Sequence, residues 1–290
     1  MKSSILIILS LLIISCSKYD KDEFKNDQIL YENNTLNDYE LYNLANDYII
    51  KDQFELALTE LDKLEVLFPS SEYANKSMLI KAYVYFLKKD YEKTRALAEM
   101  YKTYYPGSKD LAYANYLEAM SYYVLIKKQT YSQKNSYLAK EKFEFILNAY
   151  PNSKYEIDII LKINVINENL AANKLNIAKY YLDKKNNNGS LIYLLDIFNN
   201  HSTSSSIEET LYLISKIYIS LDEYEIAKNY TSILAYNFPE SSWYKKSYNL
   251  FNNANDIVND DKWYEKFNPI KLFIGKKENF SDSTNIKYIE

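Results

Sequence analysis

Cys16 is the first residue whose side chain could do chemistry, and it is the only cysteine among the 290 residues. The segment before it has a lysine at position 2 and then a nearly unbroken apolar run from Ile5 to Ile14. A charged start and an apolar core of this length are typical of an export signal, and the run is too short to span a bilayer. We therefore predict that residues 1–15 form a signal peptide that is cut away before Cys16.

The thiol of Cys16 is predicted to carry lipid. The residues IISC that end at Cys16 resemble the bacterial lipobox, in which a small residue precedes a cysteine that is acylated, with palmitate among the chains. A lone cysteine has no disulfide partner in an oxidising compartment, which disfavours the alternative of a chance or buried cysteine. Several acyl chains anchor a protein firmly, because each buried methylene contributes about 0.8 kcal/mol. Ser17, at the position after the cysteine, resembles lipoproteins that are sent to the outer membrane. Residues 16–37 are expected to be a polar tether.

The remaining candidates for chemistry do not form a catalytic constellation. His201 is the single histidine, and we expect it at a helix end or at the surface rather than in catalysis. One histidine and one lipidated cysteine cannot assemble an ordinary zinc site. The acidic pairs Glu208–Glu209 and Asp260–Asp261 are expected in a first helical turn and in a polar tail, where the helix dipole explains the first pair. The sequence therefore predicts a protein that is not an enzyme and has no metal or organic cofactor.

Bulk composition excludes further classes of protein. The chain has only three glycines, too few for phosphate-binding loops or for the tight turns of a sandwich or barrel. Its net charge of −4 gives no general attraction to nucleic acid. The 32 tyrosines could reflect a drifted codon composition or a binding surface, and both interpretations stay open. The composition favours helices.

A helix, a tight turn and a second helix ended by proline are predicted for Leu41–Pro69, and this pattern recurs along the chain. An aromatic residue, proline, any residue and serine form a stop motif that occurs as FPSS, YPGS, YPNS and FPES. Proline ends a helix, and the serine two residues later can cap the next one. A step of 37 residues separates Pro69 from Pro106, and stepping back by 37 from Pro239 reaches Ser202, where the proline is lost.

Small residues recur in phase with this motif, at positions where two helices must approach closely. In the first helix of each repeat a small residue precedes a tyrosine by three positions. These pairs are Ala45–Tyr48, Ala82–Tyr85, Ala119–Tyr122, Ala178–Tyr181 and Ser215–Tyr218. The second helices place Ala57, Thr94, Ala139, Ser190 and Ala227 at the matching position. Extra residues are predicted as a loop at Lys127–Ser136 and as a lengthened helix through Tyr155–Leu170.

The repeats predict an all-α protein. Residues 38–258 are expected to form a right-handed superhelix of about five hairpins of the tetratricopeptide type, each stretched by three residues over the usual 34. A capping helix is expected over Trp243–Val258, followed by a tail over 259–290 that docks on a partner or folds back. Tyrosines on the first helices of the second and third repeats are candidates for a binding groove, because tyrosine offers a rigid area and a polar tip. The candidates are Tyr83, Tyr113, Tyr116 and Tyr123, whereas Tyr85 and Tyr122 fill packing positions.

Between Leu41 and Tyr244 the sequence resembles the BamD family of tetratricopeptide lipoproteins. The resemblance is carried by YPNSKYEIDI at 150–159, ENLAANKLNIAKYYLDK at 168–184 and NFPESSWY at 237–244. Asn173, Lys185 and the NNHST segment depart from the family pattern.

The resemblance implies a non-enzymatic scaffold and substrate receptor in the machinery that inserts β-barrel proteins into the outer membrane. Implied partners are a BamA-like barrel protein, other lipoproteins of the complex and unfolded barrel clients, with the chain lipid-anchored and facing the periplasm. The family's docking half corresponds to Leu170–Trp243 and the client-receiving half to Leu41–Tyr123. The implied docking residues are Tyr180, Tyr181, Tyr218 and Trp243. The alternatives are another periplasmic repeat adaptor lipoprotein and a peptidoglycan lyase, although no sequence remains for a catalytic domain.

Overall fold

The computed structural model describes residues 36–127 and 132–254, and in these ranges the chain forms eleven α-helices and no β-strand. The predicted all-α class is confirmed. The predicted signal peptide, Cys16, most of the tether, the tail and residues 255–258 lie outside the described residues. The helices are α1 (Asp38–Ile50), α2 (Phe54–Leu67), α3 (Glu72–Leu87), α4 (Tyr91–Tyr104), α5 (Leu111–Tyr123), α6 (Lys134–Ala149), α7 (Glu156–Asp183), α8 (Asn187–Asn200), α9 (Ile207–Ser220), α10 (Tyr224–Asn237) and α11 (Ser242–Ala254).

The chain divides into two compact units, Met1–Tyr104 and Tyr105–Glu290. In the first unit α1 packs on α2, α3 packs on α4, and α3 also contacts α1 and α2. Part of its core is a cluster of Leu41, Leu64 and Ala74. Two helical hairpins therefore stack on each other in this unit, as the repeat pattern predicts.

The second unit continues the same arrangement. Helices α5 to α10 each contact the helix that follows, and α11 contacts both α9 and α10. One large core cluster lies between α5, α6 and α7, and another between α7, α8 and α9. The capping helix starts at Ser242, one residue before the predicted position, and covers the last hairpin as expected. In the part of the chain that the structure describes, no helix has both the length and the apolar character needed to cross a bilayer.

The ten recurring small residues are all buried. Each of them has a relative exposure of 0%, so the prediction that only small side chains fit where two helices approach is confirmed. The small side chains of alanine, serine and threonine leave room for the backbone of the facing helix, and a larger side chain would push the helices apart. In the first helices these residues are Ala45, Ala82, Ala119, Ala178 and Ser215, and in the second helices they are Ala57, Thr94, Ala139, Ser190 and Ala227.

The recurring tyrosine marks the end of the first helix in four repeats. Its backbone carbonyl accepts a hydrogen bond of 2.8 to 2.9 Å from the N–H five residues later, as in Gln53 to Tyr48. The residue before that N–H is left-handed, with φ between 56° and 62°. This is a Schellman cap, in which glycine is the preferred left-handed residue. The chain uses Asp52, Lys89, Lys185 and Asp222 instead.

The stop motif forms the same backbone turn in all five copies. The N–H of a serine donates to the carbonyl of the motif's aromatic residue, or of His201 in the copy without proline, at 2.9 to 3.3 Å. The serine hydroxyl caps the following helix at Ser71 and Ser241, where it accepts the N–H two residues on. The prediction is wrong at Ser108 and Ser153, because an additional turn delays the helix to Leu111 and to Glu156.

Carboxylates in the first turn of a repeat hold the cap of the next repeat. The hydroxyl of Ser71 donates to Asp38 at 2.6 Å, and the hydroxyl of Ser241 donates to Glu208 with the same spacing of 33 residues. Glu208 and Glu209 both lie in the first turn of α9, as predicted. Polar contacts thus join the first repeat to the second and the last repeat to the capping helix, in addition to their apolar cores.

The two predicted insertions lie where expected. Helix α7 spans 28 residues and includes the added segment at its start. The insertion of the third repeat lies between α5 and α6, although α6 already begins at Lys134, inside the predicted loop. The right-handed superhelix and the number of repeats over the whole chain stay predictions.

Candidate interaction surfaces

Tyr83 lies on α3 in the first unit and is the most exposed of the predicted groove tyrosines, at 36%. The neighbouring Ala82 and Val84 point to opposite sides of the helix and have no exposed surface, so α3 is packed on two sides and Tyr83 lies on the strip between them. An exposed ring on a fixed helix is available for contact with a ligand. The role of Tyr83 in binding stays a prediction.

Tyr113 and Tyr116 of α5 are held by the start of α7. Both rings stack on Tyr155, with centroid distances of 5.9 and 4.6 Å. The hydroxyl of Tyr116 donates to Asp158 at 2.6 Å. Burial and this carboxylate raise the pKa of Tyr116 above its ordinary value. Partial burial opposes ionisation of Asp158, but Lys162 and the Tyr116 hydroxyl still keep the pKa of Asp158 below its ordinary value.

Tyr123 belongs to the same region of the second unit. Its ring meets Phe143 edge-on at 6.0 Å, and the ammonium of Lys162 lies 5.5 Å from the ring centroid. Three of the four predicted groove tyrosines therefore lie together on α5 beside α7, with part of each ring buried in the packing. Sequence reasoning missed the contacts with α7, because residues 42 positions apart carry no periodic signal that links them.

The predicted docking residues are spread over α7, α9 and α11. Tyr180 is 58% exposed and meets Tyr181 edge-on at 5.8 Å. Tyr218 stacks on Tyr230 at 6.0 Å. Trp243 packs against Tyr212 of α9, and the ammonium of Lys246 lies 3.8 Å from its ring. Tyr180 is thus the most accessible of the four side chains.

Close contact with Tyr181 accounts for the glycine at position 189. Its ring stacks on Tyr193 of α8 at 5.8 Å, and a Cβ added to Gly189 would lie 2.7 Å from its Cδ1 atom. No real Cβ contact is this short. Gly189 therefore allows the start of α8 to approach the end of α7, and this approach positions the tyrosines of the predicted docking region.

His201 follows α8 at the C-cap position and is only 5% exposed. The predicted helix-end location is confirmed, whereas a surface location is wrong, because the residue is buried at the aromatic position of the stop motif. Its Nδ1 atom has no hydrogen-bond partner. Burial, together with the nearby charges of Lys140 and Lys174, lowers the pKa of His201 to about 4, although Asp196 acts in the opposite direction.

Charged groups surround His201 on three helices. Lys174 of α7 forms an ion pair with Asp196 of α8, and Lys140 of α6 donates to Asn167 at 2.9 Å. Glu168 accepts hydrogen bonds from the backbone and the hydroxyl of Ser205 at 2.9 and 2.7 Å. Across residues 36–127 and 132–254 no group of three or more potential ligands could hold a metal ion. The cluster joins helices and has the geometry of a structural element.

Comparison with known proteins adds an independent test of the resemblance. The sequence matches the family model YfiO, described as an outer membrane lipoprotein, over residues 34–253. Curated relatives include the outer membrane protein assembly factor BamD of Rickettsia prowazekii, which is 35% identical over 213 residues, 73% of this chain and 85% of the relative. The BamD of Caulobacter vibrioides is 27% identical, with 73% of this chain and 70% of the relative covered.

Solved structures also match. The type IV pilus biogenesis factor PilW is 15% identical with a TM-score of 0.33 and covers 72% of this chain and 97% of its own. The tetratricopeptide domain of P58(IPK) is 13% identical with a TM-score of 0.36 and covers 74% of this chain and 65% of its own.

The family model covers most of the chain, from residue 34 to residue 253. It includes every described helix except the last residue of α11. Together with the relative at 35% identity, it confirms the family resemblance that the motifs predict. The chain belongs to the YfiO family of outer membrane lipoproteins.

Proposed function

We propose that this chain is a non-enzymatic scaffold and substrate receptor in the assembly of β-barrel proteins into the outer membrane. The observation that carries the proposal is the relative at 35% identity over 213 residues, which is named as an outer membrane protein assembly factor. The match covers 85% of that relative, so it includes nearly the whole functional chain rather than one module. The same name in a second curated relative favours this role over that of another periplasmic adaptor.

The stacked hairpins supply what a scaffold needs. Small residues with no exposed surface pack at the centre of each helix pair, and carboxylate-to-serine contacts join the first two repeats and hold the capping helix on the last one. Within each unit, packed helices hold their exposed side chains at fixed positions, which suits the binding of large partners. This packing supports the proposed scaffold role.

The second unit is the proposed docking region for a BamA-like barrel protein and other lipoproteins of the complex. Tyr180 is its main candidate contact, because 58% of this tyrosine is exposed at the end of α7 and Tyr181 supports its ring. Exposed aromatic rings with fixed orientation are frequent anchors in protein interfaces. Trp243 and Tyr218 lie partly buried in the same unit and would contribute through their exposed edges.

The tyrosines of α3 and α5 are the proposed contacts for an unfolded client. A barrel strand that ends in an aromatic residue offers alternating apolar side chains and free backbone hydrogen-bonding groups, which rings and phenol hydroxyls can bind. Tyr83 is the better placed residue, because it is the most exposed of the four and the hydroxyl of Tyr116 is already bound to Asp158. Lipid on Cys16 would hold the whole chain at the membrane, facing the periplasm.

Purification from membranes tests the proposal. The tagged full chain is crosslinked in its own cells, extracted and analysed by mass spectrometry, alongside Tyr180→Ala and the control Tyr104→Ala, a 63% exposed tyrosine of the first unit. We expect a β-barrel protein with periplasmic domains to be recovered with the parent and the control, and at least several-fold less with Tyr180→Ala. Recovery of envelope proteins without any such barrel protein would refute the proposed function. Equal recovery with Tyr180→Ala would refute only the assigned contact.

A further inference from the structure

The close approach of α8 to α7 places a glycine directly after an exposed asparagine. Glycine is needed at position 189, because a Cβ there would lie 2.7 Å from the ring of Tyr181 and 2.9 Å from the amide nitrogen of Asn186. Asn188 precedes this glycine, and the pair is the only Asn–Gly in the 290 residues. The packing of the helix junction therefore fixes which residue follows Asn188.

An asparagine side chain can react with the backbone nitrogen of the next residue, and glycine hinders this reaction least because it has no Cβ. The nitrogen of Gly189 would bond to Cγ of Asn188, and ammonia would leave with the proton of that nitrogen. Water then opens the five-membered imide to aspartate or isoaspartate. Water is the only co-reactant, and Asn188 is exposed to it.

Two features of the folded chain oppose this attack. The N–H of Gly189 donates to Oδ1 of Asn186 at 2.8 Å, so the attacking nitrogen is already engaged. Asn188 and Gly189 also lie in the first turn of α8. In a helix the Cα–Cβ bond tilts toward the N-terminus, which holds the Asn188 side chain away from the following nitrogen. The reaction therefore requires this turn to open.

The contacts that hold the turn are themselves exposed to solvent. They include the cap hydrogen bond from Gly189 to Asn186 and a hydrogen bond of 3.2 Å from the amide of Asn187 to the hydroxyl of Ser220. Terminal turns held by exposed hydrogen bonds open at a lower free energy than the body of a helix. Each opening frees the nitrogen of Gly189 and the side chain of Asn188 together.

We propose that Asn188 is a site of spontaneous deamidation that the cap of α8 protects in the folded chain. Conversion to isoaspartate adds a methylene to the backbone, so the first turn cannot close again as a regular α-helix. Gly189 then loses its packing against Tyr181, whose ring supports Tyr180. The modification makes an opening of the α7–α8 junction permanent. It does not depend on the proposed function, since the chemistry concerns this chain alone.

Incubation of the purified full chain at pH 8 and 37 °C, followed by mass spectrometry of the peptide that contains position 188, tests the site. We expect conversion in the folded chain to be at least tenfold slower than in the same chain unfolded in urea. In the unfolded chain Asn188 should convert faster than Asn152, which precedes a serine. Equal rates in the folded and unfolded chain, or no conversion of Asn188 after unfolding, would overturn the proposal.

Variants of the cap test the source of the protection. Asn186→Ala removes the acceptor of the Gly189 N–H and should speed conversion in the folded chain at least several-fold. Asn186→Asp keeps an acceptor oxygen and should protect as well as the parent. The control Asn187→Ala changes a neighbouring side chain and should convert at the parent's rate.

The outcomes are distinct. Conversion of Asn186→Ala at the parent's rate, or the same acceleration in Asn187→Ala, would contradict the role of the cap. Circular dichroism at the incubation temperature should show equal helix content in the parent and all three variants. A loss of helix content confined to Asn186→Ala, with Asn186→Asp unprotected, would also overturn the assignment.

Discussion

Replacing His201 with phenylalanine should remove a source of acid sensitivity from the second unit. The histidine is 5% exposed, its Nδ1 atom has no partner, and its pKa in the folded protein is about 4 against an ordinary 6.5. Phe68 and Phe238 occupy the equivalent stop-motif position in other repeats, so an aromatic ring is compatible with this turn. The variant tests whether burial keeps the imidazole neutral.

The sign of the effect follows from the lowered pKa. Unfolding lets His201 bind a proton more readily, so its contribution to stability is fully present above pH 6.5 and is lost as the pH falls from 6.5 to about 4. One pKa unit corresponds to about 1.4 kcal/mol, so the loss approaches about 3 kcal/mol at the acid end. The carboxylates Asp158 and Asp196 have lowered pKa values, and their contributions are lost only below their ordinary pKa of 3.8. The two windows are separate.

The assay is denaturant unfolding at pH 7.0, 5.5 and 4.5, followed by circular dichroism. We expect the parent to lose about 1 to 3 kcal/mol across this range relative to His201→Phe, while the two differ by about 1 kcal/mol or less at pH 7. His201→Gln should also lose the pH dependence but should be less stable than the phenylalanine variant, because it leaves a polar group buried. Equal slopes against pH in all three proteins would refute the reasoning.

Three further predictions follow from the turns, the glycines and the anchor. Lys89→Gly should stabilise the first unit by about 0.5 to 1 kcal/mol, because Lys89 has a left-handed backbone conformation. The control Ala96→Gly, within α4, should destabilise it by about 1 kcal/mol in the same thermal melts. Destabilisation by both variants would count against the Schellman assignment. Gly189→Ala should lower the free energy of unfolding by about 1 to 3 kcal/mol, since its Cβ would lie 2.7 Å from a ring carbon of Tyr181. Gly107→Ala, with open space around it, should stay within about 0.5 kcal/mol of the parent. Equal chemical denaturation midpoints for the two variants would contradict the tight contact. Cys16→Ala should release the folded chain into the soluble fraction, and its retention on membranes washed with high salt would argue against the lipid anchor.

The repeat architecture could be predicted because its signals are local and periodic. A small residue three positions before a tyrosine needs no knowledge of distant contacts, and all such residues proved to be fully buried. The stop motif was equally informative, and its turn persists even where His201 replaces the aromatic residue and no proline follows.

The remaining features depend on geometry that a sequence pattern does not carry. A Schellman cap usually has glycine at its left-handed position, which makes it recognisable in a sequence, but this chain has Asp or Lys there. The serine of YPNS was predicted to cap a helix, yet its buried hydroxyl has no partner because the helix starts three residues later. The sequence of the first half of α7 contains many apolar residues without a clear period, and only the fold shows which of them are buried.

The candidate surfaces were predicted less fully than the fold. Tyr116 is a candidate because of its place on a first helix, and no local pattern indicates that its hydroxyl binds Asp158, 42 residues later. Tyr180 and Tyr181 are adjacent, but only packing decides that one is exposed while the other stacks on Tyr193. Long-range partners of this kind require coordinates.

Depletion of this chain from its own cells tests the proposed assembly role most directly. Outer membrane barrel proteins are pulse-labelled after depletion, and their folded fraction is measured by resistance to denaturation at room temperature in detergent. The account predicts that the folded fraction falls at least several-fold, while unfolded barrel proteins accumulate in the periplasm and a matched soluble periplasmic protein folds normally. An unchanged folded fraction after depletion would contradict it.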